Sequence, residues 1–403
     1  MNRLVLIGNG FDLAHGLKTS YQDFINWYWD KRVLGFRDCF SNVSEDILCR
    51  FEINSYNKTW NAFYWQLPVI NKKSGKDIVT ELKEYDSFKI TTSSLFSNIC
   101  DSIEEKGWVD IENEYYRLLK SCTLKKRDDD ELKKLNEQLQ YIQDLLIEYL
   151  SSLEQPKKSN EIFNKIYAPI DAKDLAIDYL YHGFNDFLEY CLKQDKAFWE
   201  IKLSRYGKDS TGSGYIYDIE NYKLLPQSTP TPKLFMLPDN VMLLTFNYTN
   251  TTDLYNRDEV TQITHIHGTV SDPESVIFGY GDELDDSFSA LQDLGDNECL
   301  SFIKSYKYLD ATNYRNTLAF LDSGPFQVFI FGHSCGNSDR TLLNTIFEHK
   351  NCISIKPFFY VKKDGIDNYR ELIQNISRNF TDMKLMRDRV VNKTYCEPLV
   401  KRK

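Results

Sequence analysis

Apolar positions follow two different rhythms along this chain. Leu4-Val-Leu-Ile7 is a continuous apolar run that stops at Gly8-Asn9-Gly10, the pattern of a parallel strand buried on both faces and closed by a tight turn. Tyr21 to Tyr28 then reads as an aromatic helix, so the chain opens strand–turn–helix. Strand character returns only after about residue 235, in Val241–Asn247, Ile263–His267, Ser275–Gly279, Gln327–Gly332 and Cys352–Lys356. The first and fourth of these are again continuous apolar runs. Asp367–Asn379 reads as a helix and Lys384–Val391 as a last strand.

Between these two parts the rhythm is helical. Tyr56–Trp65 and Ile111–Leu119 read as helices with aromatic faces, and Lys125–Lys134 as the solvated start of another. Leu132, Leu135, Leu139, Ile142, Leu146, Tyr149 and Leu153 alternate spacings of three and four, a heptad seam over 130–155 that suits an intramolecular helical hairpin or a dimeric coiled coil. A further helix is expected over Asp186–Arg205. The Ser/Thr/Pro-rich stretch 206–233, including Asp209-Ser-Thr-Gly-Ser-Gly214 and Pro226-Gln-Ser-Thr-Pro-Thr-Pro232, reads as a linker. The expected architecture is an α/β, Rossmann-type, mostly parallel sheet split in sequence. Residues 1–30 and 235–403 form its nucleotide-binding core, and 31–234 are a large helical insertion.

Composition narrows the partners. With 49 basic and 59 acidic residues the net charge is −10, which disfavours nucleic acid as a partner because counterion release needs a basic surface. The nine cysteines, Cys39, Cys49, Cys100, Cys122, Cys191, Cys299, Cys335, Cys352 and Cys396, are scattered singly. No C-x-x-C pair suggests a zinc ribbon, and the odd count suits reduced thiols. No window is apolar enough for a membrane helix and the opening lacks a secretory pattern. The expected location is cytoplasmic.

The candidate chemistry lies where apolar runs end. In a doubly wound sheet, Thr245-Phe-Asn-Tyr-Thr249, His265-Ile-His-Gly268 and Gly332-His-Ser-Cys-Gly-Asn-Ser-Asp339 converge on one crevice with Gly8, Asn9, Gly10 and Asp12. The glycine turn would offer backbone N–H groups to a phosphate. Asn247 would orient a sugar hydroxyl or a water, and His267 would take a proton near neutral pH. Three other readings compete. Asn247 could simply cap a following helix. His265 and His267 would share a strand face and could hold a metal in a nuclease, with Asp282, Glu283, Asp285 and Asp286 nearby. Gly332-His-Ser-Cys-Gly336 matches the G-x-S-x-G nucleophile elbow, but Asp339 lies too close and His349 too soon after for that fold's order.

These landmarks resemble the bacteriophage abortive-infection AbiH family. The opening Leu4 to Phe24, Trp108-Val-Asp-Ile-Glu112, Phe246-Asn-Tyr-Thr249, His265-Ile-His-Gly268, Phe278-Gly-Tyr-Gly-Asp-Glu283 and Gly332-His-Ser334 with Asp339 occur in that family's order. The resemblance implies an antiviral protein, with a nucleotide, a second copy of the chain or a phage-derived trigger as its partners. More distantly the layout is similar to the sirtuin-like NAD-binding fold, with Thr245 and Asn247 matching its Thr-x-Asn motif and His267-Gly268 its His-Gly. Gly332 and Ser334, beside His333 and Asp339, match its late Gly-x-Ser, and Asp23-Phe24 its nicotinamide-flanking Asp-Phe. Thr249 and Ile25 stand where that pattern has Asp and Arg, and a zinc cysteine set is missing, which disfavours a deacetylase. The resemblance implies hydrolysis of NAD, as substrate rather than cofactor, at the nicotinamide–ribose bond. A nucleotide sensor without turnover, signalling through the insertion, is the alternative.

Overall fold

The computed structural model describes residues 1–38, 42–53, 74–84, 88–106, 109–182, 237–257, 259–362 and 364–401. The expected elements at 56–65, 186–205 and 206–233 lie outside these residues, as does Trp108.

Strand β1 (Asn2–Ile7) is the centre of a five-stranded sheet whose strands all run parallel. On one side it pairs with β5 (Val241–Thr245) and then β6 (Thr261–His265), and on the other with β7 (Phe326–Phe331) and then β8 (Cys352–Phe358). The continuous apolar run follows from this position. Leu4 and Leu6 enter one hydrophobic cluster while Val5 and Ile7 enter the cluster on the opposite face, all four fully buried. Pro357 is tolerated because β8 is an edge strand.

The first cluster is closed by helices Asn313–Asp322, Arg340–Phe347 and Tyr369–Arg378, through Phe320, Leu343 and Ile376. Helix Asn160–Ile166 covers the other face with Ile162 and Ile166. Its segment, which the sequence pattern groups with the insertion, is tied down by the buried Arg3, whose guanidinium donates to the carbonyls of Ile166 and Ala168.

A third cluster lies above the sheet's C-terminal edge. Helices Tyr21–Asp38, Ser94–Lys106, Ile111–Lys120 and Asp129–Ser151 pack there with Phe278, Tyr280 and Phe302 from the later chain. The heptad seam is used inside the chain: Leu132, Leu135, Leu139, Ile142, Leu146 and Tyr149 are all buried in this cluster. A small antiparallel sheet, β2 (Val43–Glu45), β3 (Cys49–Ile53) and β4 (Phe88–Thr92), flanks these helices and was not expected.

Two expected strands are absent. Ser275–Gly279 begins at the end of a 3-10 turn, Pro273–Ser275, and lies outside both sheets. Its polar backbone is satisfied instead by the Ile277 N–H donating to His267 O and by the Gln143 amide donating to Val276 O. Lys384–Val391 is mostly helix, Met383–Arg389, because the Asp382 carboxylate caps the N–H groups of Lys384 and Leu385. No described helix is long and apolar enough to cross a membrane.

Candidate functional site

The strand order places a topological switch between β1 and β7. The chain leaves β1 for β5 and β6 on one side, then crosses to β7 and β8 on the other. Loops diverge at such a point and leave a crevice at the C-terminal ends of the strands. A cavity of about 290 Å³ lies there. Gly8, Asn9 and Asp12 line it from the end of β1, Phe246 to Thr249 from the end of β5, and His267 from beyond β6. Gly332, His333, Ser334, Ser338 and Asp339 complete it from the end of β7, and Asp110, Glu112 and Leu146 from the helical layer.

The glycines are explained by two turns pressed against each other. The Gly8 N–H donates to Phe331 O at 3.1 Å, and the Gly10 N–H to Gly332 O at 2.9 Å. A Cβ on Gly8 would sit 2.5 Å from His333 Cα, and one on Gly10 2.8 Å from Gly332 Cα. Gly332 has φ +70°, and its Cβ would lie 2.2 Å from Phe11 N. The expected phosphate cradle is therefore not made by the Gly8 and Gly10 amides, whose donors are used within the protein. Gly8 and Gly332 still form the cavity floor, whereas Gly10 does not line it.

Asn247 bridges strands as well as lining the site. Its side-chain amide donates to Gly8 O at 3.1 Å, linking the ends of β5 and β1. Two residues on, the Thr249 hydroxyl donates to Asp12 Oδ2 at 2.6 Å. Asp12 is 1% exposed and its Oδ1 has no hydrogen-bond partner among the described residues. Burial raises its pKa, opposed by bonds from Thr249 and its neighbours.

Opposite lies a buried charged chain. Lys304 Nζ sits 2.7 Å from Asp339 Oδ1 and 2.9 Å from Glu112 Oε2. Asp339 also faces both histidines, with His267 Nε2 at 3.4 Å and His333 Nε2 at 3.5 Å. His333 Nδ1 accepts from the Cys335 N–H, so a neutral His333 carries its proton on the nitrogen facing Asp339. His267 Nε2 lies 3.1 Å from the Tyr308 hydroxyl. Burial, then Lys304, lowers the His267 pKa to about 4, so its ring is neutral at pH 7 and does not take up a proton near neutrality as its sequence setting suggested. Burial raises Glu112 to about 7 against the opposing effect of Lys304. Asp339 is held well below the usual carboxylate range by Lys304 and the histidines, which overcome its desolvation.

Other expected site residues lie elsewhere. Ser20 caps the start of helix Tyr21–Asp38 by accepting the Asp23 N–H, the Asp23 carboxylate accepts from the Ser20 hydroxyl, and Phe24 packs on Trp27 and Tyr149. Neither lines the cavity. Thr245 is buried, with its hydroxyl accepting the Asn247 N–H, and Gly268 (φ +74°) makes the turn against Ser275. The strand β6 ends at His265, so His265 and His267 do not share a strand face: His265 pairs with Asp253 at 3.1 Å, outside the cavity lining. The metal pair is not formed, and among the described residues no group of three His, Cys, Asp or Glu could hold a metal ion. The nucleophile elbow also fails, because the left-handed residue is the buried Cys335 (φ 54°) and not Ser334.

Glu112, Asp110, Lys304 and Tyr308 escaped the sequence reading. Asp110 and Glu112 belong to a quoted landmark, Val109-Asp-Ile-Glu112, but nothing in the spacing shows that it reaches the sheet edge. Lys304 has no local signal at all. Its burial depends on two carboxylates 192 and 35 positions away.

Fold and cavity together define a parallel α/β protein with a charge-rich, polar pocket at its switch point. The chain belongs to the bacteriophage abortive infection family AbiH, whose model matches residues 4–361. No curated protein and no solved structure matches it. Family membership makes it a phage-defence protein.

Proposed function

We propose that this defence protein acts on a nucleotide at the switch-point cavity and hydrolyses NAD at the nicotinamide–ribose bond, in the cytoplasm of the infected cell. The observation that carries the reading is the meeting of Asn247 and His267, from the ends of two different strands, on one cavity beside the β1 turn. Their sequence setting, Thr245-x-Asn247 and His267-Gly268, resembles that of the sirtuin-like NAD-binding fold, and a parallel sheet with a switch point at this cavity is compatible with the analogy.

In this reading water attacks the ribose anomeric carbon as the bond to the nicotinamide nitrogen breaks and that nitrogen takes the bonding pair. His267, kept unprotonated at pH 7 by its lowered pKa, accepts the water proton late, once attack on the developing ribose cation has acidified that water. Asn247 orients the ribose or the water, and the products are nicotinamide and ADP-ribose. The positive charge that develops on the ribose is stabilised by fixed dipoles and carboxyl groups in a site screened from water. A millionfold acceleration requires about 8 kcal/mol, which positioning and electrostatics must supply.

The test is release of nicotinamide from NAD by the purified full chain, beside its His267→Ala and Asn247→Ala variants. The same three proteins are followed by cellular NAD after phage infection. Loss of NAD that both variants abolish is expected. NAD bound by calorimetry without product, in the tube and in infected cells, favours a sensor and overturns the hydrolase.

A further inference from the structure

The cavity wall carries more carboxyl groups than cations. Among the described residues four carboxyl groups line it, those of Asp12, Asp110, Glu112 and Asp339, against one lysine. Lys304 is spent on Glu112 and Asp339. Asp12 and Asp110 have no ion-pair partner among the described residues. Asp110 Oδ1 accepts the Asn113 N–H and caps helix Ile111–Lys120. Asp12 is the more telling residue. It is 1% exposed, one oxygen accepts from Thr249, and the other is a buried acceptor without a hydrogen-bond partner among the described residues, with the Thr251 hydroxyl and the Asn247 amide near enough to favour the charged form. Among the described residues, it is the one buried polar side-chain atom lacking a partner that belongs to a residue lining this cavity.

An orphaned carboxyl oxygen costs free energy unless a ligand satisfies it. A phosphate cannot do so. It would meet two carboxyl groups without ion-pair partners among the described residues, a lysine already engaged by two others, and glycine amides already used by Phe331 and Gly332. A cationic or hydrogen-bond-donating group is the complement.

We infer that the cavity selects a cationic ring, an N-substituted pyridinium, and that Asp12 and Asp110 are the residues that read its charge. The inference rests on the NAD reading for the identity of the cation, and it deepens that reading. The pyridinium nucleoside enters, the phosphates stay outside the acidic wall, and the oxidised dinucleotide is distinguished from the reduced one by ring charge alone. Binding then places a positive ring beside Asp12 and Asp110.

Two matched pairs of probes test this by calorimetry on the full chain. The first is the carbocyclic analogue of NAD, which resists hydrolysis, against NADH, whose ring is neutral. The second is 1-methylnicotinamide against nicotinamide, a cation and a neutral molecule of nearly the same shape. The charged member of each pair should bind about tenfold or more tightly, the effect of one nearby opposite charge. Asp12→Asn, which keeps an acceptor for Thr249, and Asp110→Asn, which keeps the helix cap, should each shrink that ratio toward one. If Asp12→Asn does not fold, Asp110→Asn carries the comparison.

Equal binding of both members of both pairs overturns the inference and leaves a nucleotide site intact. Preference for 1-methylnicotinamide with no binding of either dinucleotide upholds the inference and removes the NAD reading. A preference that survives in every folded variant overturns the assignment to these carboxyl groups, and binding of none of the four probes overturns the inference outright.

Discussion

The behaviour of single residues here is set by what surrounds them rather than by their type. Lys304 is 1% exposed and lies between two carboxylates, so removing its charge strands both. Lys304→Met should cost about 3–5 kcal/mol in urea unfolding, the usual penalty for breaking a buried pair. His267 gives a pH signature of the opposite kind. Its folded pKa is depressed to about 4, below its unfolded value of about 6.5. Its contribution is therefore present above pH 6.5 and is lost as pH falls through 4. The window spans about 3 kcal/mol, and His267→Gln should flatten that part of the stability–pH curve in denaturant titrations. A curve unchanged between wild type and variant would remove the claim that His267 is neutral by burial. Gly332→Ala combines a positive φ with a backbone collision. It should destabilise by about 3 kcal/mol or more, with Gly35→Ala, where a Cβ meets nothing within 4 Å among the described residues, as the control.

At the scale of elements, legibility followed periodicity. The run Leu4–Ile7 became the central strand because a parallel strand covered on both faces needs an unbroken apolar stretch. The seam Leu132–Tyr149 became helix Asp129–Ser151, and its burial inside the chain resolves the choice between a hairpin within one chain and a coiled coil between two. Leu139→Ala should accordingly cost about 2–5 kcal/mol by thermal or chemical unfolding, while light scattering shows the molecular mass unchanged. Short elements were less legible. Ser275–Gly279 and Lys384–Val391 carry strand-like residues, yet a proline turn in one case and the Asp382 cap in the other gave their backbones different partners. Local propensity yields where a specific hydrogen bond competes with it.

For the whole molecule, the helical layer is part of the site rather than an appendage. Asp110 and Glu112 come from one end of helix Ile111–Lys120, and Glu112 meets Lys304 at 2.9 Å in the cavity wall. Glu112→Gln keeps the shape and the Gly279 N–H bond's acceptor but removes one of the two charges on Lys304. The acidic limb of any NAD-cleaving activity, followed as a pH–rate profile, should shift in this variant, since Glu112 is raised to about 7 and faces the same lysine as Asp339. An unchanged profile would confine Glu112 to a packing role. In infected cells, protection against phage should fall together with NAD depletion in His267→Ala. Protection that persists without depletion would separate defence from hydrolysis.

The sequence by itself determined the strand–turn–helix opening, the two-sided burial of the central strands, the heptad helix and the family. Each of these depends on residues close in the chain or on motifs in fixed order. It also named most of the strand ends that form the cavity, because the strand order of a doubly wound sheet brings those ends together. Only the tertiary structure decided what those residues do there. It showed that Gly8 and Gly10 serve the contact between two turns instead of presenting free amides, and that Asp23 and Phe24 belong to a helix start and a core. It also joined Lys304 to carboxylates 192 and 35 residues distant. The physical reason is that a hydrogen bond or an ion pair is a property of two groups in space, and no pattern along the chain records a partner so far away.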